Sequence, residues 1–169
     1  MRLYGAYGSN LNIKQMQKRC PNSYPIGSIY LDGWELVFKG VADLEKKSGS
    51  LTLMGIYEIT KSCEKLLDIY EEYPLVYRKT KIKKKIEGSV REIMFYKMNK
   101  KYEYAAPTIK YFKVIEEGFK HWNGSIKILQ NSCFHSIDND TSKGYKSVNW
   151  KDKKYISNDF IRNRTNLIS

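Results

Sequence analysis

Apolar residues recur along this chain with two different periods. Trp34, Leu36 and Phe38 recur at every second position, and Ile82 and then Ile86 alternate with the lysines from Lys79 to Lys85; a period of two predicts strands. By this pattern strands cover 2–7, 25–31, 34–39, 77–86 and 90–97. The stretch 51–59 is apolar on both sides (Leu53, Met54, Ile56, Tyr57), as expected of a central strand covered on both faces. Helical spacing appears elsewhere. Ile109, Phe112, Ile115, Phe119 and Trp122 make one stripe over 109–122. Cys63, Leu66, Leu67 and Tyr70 make another over 61–70, with Thr60 as its cap. Short helices are predicted over 12–19, capped by Asn10 or Asn12 and stopped by Pro21, and over 125–134. Two glycines within four residues, Gly5 and Gly8, followed by Ser9 and Asn10, predict a tight turn after the first strand.

This order of strand, helix, several strands and helices is an α+β pattern, expected to form a small closed mixed β-barrel flanked by helices. Residues 1–135 hold almost all of the periodic pattern and form the expected domain. Residues 136–169 are rich in Asn, Asp, Ser and Lys, with only Tyr145, Trp150, Tyr155, Phe160 and Ile161 as anchors. They read as a polar basic C-terminal tail, mobile or docked on the core.

Composition narrows the function classes. At 169 residues and 41% hydrophobic, the chain has enough apolar material for one core. No apolar run approaches a membrane span, and the first residues lack a signal-peptide core. Three cysteines, Cys20, Cys63 and Cys133, are widely separated and odd in number, which disfavours a disulfide framework and points to a cytoplasmic protein. The net charge of +12 favours anionic partners in general. Its densest part, Lys79, Lys81, Lys83 and Lys85 on one strand face, reads first as a solvated surface, and no nucleic-acid-binding signature accompanies it. Nucleic acid is therefore not the expected partner. Cys133 and His135 are too few ligands for a metal site, and no phosphate-loop or dinucleotide fingerprint is present.

Four segments, in order, carry a more specific signal: Tyr4-Gly5-Ala6-Tyr7-Gly8-Ser9-Asn10-Leu11; Arg19-Cys20-Pro21; Leu67-Asp68-Ile69-Tyr70-Glu71 with Tyr77-Arg78; and Ala106-Pro107-Thr108 with Tyr111. Together they resemble the gamma-glutamylcyclotransferase-like family, which includes plant avirulence-induced relatives and small bacterial members. Taken singly, each segment is an ordinary turn, helix end or packing residue; their joint order makes the resemblance.

The resemblance implies a ligand cavity at one end of the fold and no cofactor. The turn Tyr7, Gly8, Ser9 and Asn10 would hold the glutamyl carboxylate and carbonyl of a small substrate, presented by Tyr4, Gly5 and Ala6. Glu71 would be the catalytic acid–base, and Tyr77 and Tyr111 would close the cavity. One departure stands out: the family's Gly after the catalytic Glu is Glu72 here, so two adjacent carboxylates compete for the role, and counting three residues from Asp68 selects Glu71. The implied reaction is cyclisation of a γ-glutamyl amine to 5-oxoproline by a chain that is a monomer by default, although a dimer is an open alternative. The rival expectation is a non-catalytic module using the same cavity to capture an anionic small molecule such as a nucleotide signal; it requires lysine or arginine in the cavity.

Overall fold

A computed structural model describes residues 1–165. Five strands form one mixed sheet in the order β2-β3-β1-β5-β4. Strand β1 (Arg2–Ala6) runs antiparallel to β3 (Ala42–Ile59) and parallel to β5 (Ser89–Met98), with Leu3 opposite Ile93. Strand β2 (Tyr24–Phe38) forms a long hairpin with β3, and β4 (Tyr77–Ile86) a shorter one with β5.

The sheet is open. This corrects the expected closed barrel: β2 and β4 are the two edges and do not pair with each other. At the tip of the β2–β3 hairpin the free edge is taken instead by the segment around Ala105, whose N–H donates to Phe38 O at 3.1 Å while Gly40 N–H donates to Ala105 O at 2.9 Å. Strand β4 manages its edge with charge. Lys81 and Lys83 are exposed along it, Lys79 pairs with Glu64 and Asp68, and Lys81 pairs with Glu92. A lysine row of this kind discourages other chains from adding to the sheet.

Two strands predicted separately, 25–31 and 34–39, are one strand. At Asp32-Gly33 the pairing shifts register rather than the strand breaking: Asp32 lies opposite Leu51 and Trp34 opposite Lys46, so the extra residues belong to β3, and Gly33 takes a left-handed φ of +75° at the shift. Helix α1 (Ile13–Arg19) is capped by Asn12, whose side chain accepts from the N–H groups of Lys14 and Gln15; this leaves Asn10 free for another task. Helix α2 spans Lys61–Tyr70 with Thr60 as cap, as the pattern predicts, and buries Cys63 and Leu67. Leu66, assigned to the same face, is 45% exposed, because the stripe follows the 63, 67, 70 spacing alone. Helix α3 (Ile109–His121) buries Phe112, Ile115 and Phe119 against the core, and α4 (Ile126–Asp138) buries Leu129 and Cys133. No helix among the described residues is long and apolar enough to cross a membrane.

Beyond α4 the chain is held largely by its backbone. Tyr145 N–H donates to Lys39 O at 2.7 Å, Ile109 N–H to Lys154 O at 3.0 Å and Ile156 N–H to Pro107 O at 3.1 Å. Trp150, Ile156 and Ile161 are buried, and α5 (Asn158–Thr165) is tied to α3 by an Arg164–Glu116 ion pair. Gly40 makes room for this strap: a Cβ there would lie 2.2 Å from Tyr145 O.

One buried charge cluster fixes the hairpin tip. Asp43 (0% exposed) binds the Lys39 ammonium at 2.8 Å and accepts from the N–H groups of Leu44 (2.8 Å) and Met98 (2.9 Å), so it ties β3 to the end of β5. Lys39 also bonds Glu45 at 2.7 Å. Removing one member of such a cluster strands the others without their partner. Asp43→Ala is expected to cost about 3 kcal/mol or more, read as a fall in the urea midpoint; a loss below about 1 kcal/mol, the size of an exposed pair, would show that the cluster is not structural.

Candidate active site

Strand β1 ends at Ala6, and the chain turns through Tyr7 and Gly8 into a single 3-10 turn, Ser9–Leu11. Leu11 N–H donates to Gly8 O at 2.9 Å. The N–H groups ahead of it, on Gly8, Ser9 and Asn10, therefore have no intrahelical acceptor. Gly8 permits a close approach: a Cβ there would lie 3.0 Å from the Tyr111 hydroxyl and 3.1 Å from the Ala42 Cβ.

Beside this turn, α2 ends on Glu71, which is its C-terminal cap and whose N–H donates to Leu67 O. The Glu71 carboxylate accepts from Asn10 Nδ2 at 2.9 Å. The same amide nitrogen reaches the Tyr4 hydroxyl at 2.9 Å, and Asn10 Oδ1 accepts from the Arg19 guanidinium at 2.7 Å. Arg19 thus orients the amide so that its NH2 group faces Glu71. Burial pushes the Glu71 carboxyl up to about 8, although Arg19 pulls the other way. Its place at a helix C-terminus is also unfavourable for a negative charge.

Tyrosines wall the cleft. Tyr7 donates its hydroxyl proton to Tyr96 O (2.6 Å) and Tyr77 to Ala42 O (2.6 Å), while the Tyr111 oxygen accepts from Ala42 N–H (3.1 Å). Burial raises the pKa of all three hydroxyls well above the ordinary tyrosine value. They remain neutral walls rather than acids or bases at neutral pH. The cleft's interior is small, about 40 Å³, room for a few water molecules.

Of the residues singled out from sequence, Tyr4, Tyr7, Gly8, Ser9, Asn10, Glu71, Tyr77 and Tyr111 all line this cleft. Gly5 and Ala6 do not; they are strand positions, and a Cβ on Gly5 would lie 2.4 Å from Met54 Sδ. The two carboxylates separate. Glu71 points to Asn10, whereas Glu72, held at a left-handed φ of +49°, stands at the mouth and accepts a hydrogen bond from the Tyr145 hydroxyl.

Sequence reading missed Arg19 as a member of the site, although it lies in one of the quoted motifs. It also missed Tyr70 and the strap residues Tyr145, Ser147, Asn149 and Trp150, which complete the lining. Tyr70 links these parts: its ring lies 3.7 Å beneath the Arg19 guanidinium, and its hydroxyl contacts Ser9 Oγ at 2.8 Å and accepts from Trp150 Nε1 at 2.7 Å. No signal local to residues 70, 145 or 150 marks that meeting. Among the described residues no cluster of histidine, cysteine and acidic side chains could hold a metal ion. Cys133 is buried, and His135 packs edge-on against Tyr104.

Comparison with known proteins agrees with this architecture. The family model described as "Gamma-glutamyl cyclotransferase, AIG2-like" matches residues 4–116. A solved structure titled "Gamma-glutamyl cyclotransferase" superposes with a TM-score of 0.69 at 22% identity, over 96% of this chain and 98% of that one. An uncharacterised protein from Homo sapiens gives 0.68 at 22% identity over 95% and 98%. YkqA from Bacillus subtilis also gives 0.68, at 23% identity, over 82% of this chain and 55% of that one. At such identities the likeness is one of fold. No curated protein matches the sequence.

Burial of Glu71 has a consequence for stability. Its pKa is near 4.5 when unfolded and about 8 when folded, so the folded state resists its ionisation. Stability at this position is complete below pH 4.5 and is lost as pH rises to about 8, by at most about 5 kcal/mol. Glu71→Gln, which cannot ionise, is expected to gain in urea midpoint over the wild type between pH 4.5 and 8.5. A constant difference across that range would mean an ordinary, solvated carboxylate.

Proposed function

The chain belongs to the gamma-glutamyl cyclotransferase, AIG2-like family, and from that premise we propose that it cyclises γ-glutamyl amines or amino acids to 5-oxoproline, with Glu71 as acid–base. The observation that carries this reading is the Glu71 carboxyl, its pKa raised to about 8, beside a turn that leads with free N–H groups.

The substrate's α-nitrogen attacks its own γ-carbonyl carbon; a C–N bond to the ring forms, and the C–N bond to the departing amine breaks. Counted between ammonium forms, two protons leave the attacking nitrogen and two reach the departing one. The nucleophile is tethered within the substrate, so holding it in a folded conformer supplies much of the rate. An ammonium entering beside Glu71 stabilises the carboxylate, which lowers its pKa and readies it to accept a proton. The same carboxyl then returns a proton to the leaving nitrogen. Negative charge developing on the carbonyl oxygen is met by the N–H groups of Gly8, Ser9 and Asn10, each such donor stabilising the transition state by about 3 kcal/mol. Asn10 and Arg19 keep Glu71 aimed throughout. An interior of about 40 Å³ is too small for a glutamyl group, so substrate entry turns aside the Tyr145 and Trp150 side chains, which hydrogen bonds to Glu72 and Tyr70 hold over the mouth, while the backbone of the strap stays in place.

The rival, capture of an anionic small molecule, asks for cations in the cleft. The described lining has two glutamates and neither lysine nor arginine, and Arg19 sits behind Asn10, engaged by it and by the Tyr70 ring.

Release of 5-oxoproline from a panel of γ-glutamyl compounds tests the reading. Wild-type kcat/KM is expected to rise with pH through about 8, with the limb in kcat displaced downward by the bound ammonium. Glu71→Gln retains the hydrogen bond from Asn10 and is expected to lose about 100-fold or more in rate, along with that limb. A Glu71→Gln rate within about threefold of wild type, paired with loss in Glu72→Gln, would transfer the role to the neighbouring carboxylate.

A further inference from the structure

A second hollow lies on the far side of the strap, with an interior of about 720 Å³. It adjoins the cleft: Val41, Tyr145, Ser147 and Trp150 line both. Its own walls are mainly apolar, contributed by Ala106, Ile137, Val148, Tyr155 and Ile156. Four charged side chains are also present: Lys146 and Lys151 line the hollow as cations, and its two acids, Asp140 and Asp152, are each already engaged by the backbone. Asp140 accepts from the N–H groups of Ala106 and Ser142, and Asp152 from those of Lys110 and Lys154.

The proposed reaction leaves an unsolved problem of space. A γ-glutamyl amine has two halves, and the catalytic cleft is small even for one. The half beyond the scissile bond must lie toward the outer wall, away from the turn at Gly8–Asn10, and that wall is the one shared with the second hollow. We propose that the second hollow is the subsite for the substituent of the leaving amine, and that this substituent is an apolar or aromatic group rather than a cationic one. This inference rests on the cyclotransferase reading. Apolar surface moved from water into such walls contributes in proportion to its area, whereas an ammonium would lose its hydration without an unengaged carboxylate to receive it.

The test compares three substrates, the γ-glutamyl methylamide, phenethylamide and aminobutylamide, by kcat/KM for 5-oxoproline release. The phenethylamide is expected to exceed each of the others by about tenfold or more. Val148, which lines the hollow but not the cleft and is 79% exposed, supplies the variant. Val148→Asp is expected to cut the preference for phenethylamide over methylamide by about fivefold or more, with an unchanged melting temperature showing that the fold persists. Equal rates for the three substrates, a preference for the aminobutylamide, or a preference untouched by Val148→Asp would overturn the subsite. If no substrate is turned over, the reaction itself has failed, and the hollow is judged separately by calorimetric titration with the uncharged 2-phenylethanol. Saturable binding weakened by Val148→Asp would keep it as an apolar site; the absence of binding would sink it.

Discussion

The Asn10 side chain is the joint on which the cleft depends. It has one acceptor and one two-proton donor, and the fold engages both ends: Arg19 holds the oxygen, while Tyr4 and Glu71 share the nitrogen. The backbone of the same residue accepts from the Tyr57 hydroxyl at 3.1 Å. Strand β1, helix α1, helix α2 and strand β3 therefore meet at a single residue. Reversing that amide would set its NH2 group against a guanidinium, donor against donor, which is repulsive. The charge of Arg19 forbids it, which makes a half-buried arginine outside the lining a determinant of geometry inside the cleft.

Around that joint, the fold surrounds an ionisable carboxyl with groups that do not answer its charge. The hydroxyls of Tyr7 and Tyr77 are turned to backbone carbonyls, and the nearest cation reaches Glu71 only through Asn10. Where a carboxylate serves structure alone, the molecule treats it differently: Asp43 receives an ammonium and two N–H donors. Two buried acids about thirty residues apart thus have opposite surroundings. One is tied into the fold by an ammonium and two N–H donors, the other is left to change its proton.

Much of this was legible in the sequence because it is local. The limits of α2, the stripe of α3 and the turn after β1 each depend on residues within a few positions of one another, and the resemblance to a family supplied the pairing of that turn with Glu71. Long-range features were less legible. Gly33 reads as a break because glycine marks turns and bulges alike, and only cross-strand pairing tells them apart. Barrel closure was expected from strand content, which says nothing of what occupies a free edge; the segment near Ala105 occupies one here. The stretch after α4 looks loose by composition, yet it is fastened by backbone hydrogen bonds that leave no mark on side-chain chemistry.

The strap also lies outside the matched family segment, residues 4–116, while its Tyr145 and Trp150 wall the cleft. Parts of the site are therefore free to vary independently. Replacing Asn10 removes contacts to β1, α1 and α2 at once, so a change there touches folding as well as chemistry. Residues such as Val148 and Asn149 carry no such burden, and a lineage can retune the mouth of the cleft by substitution in a surface strap while the machinery behind it stays unaltered.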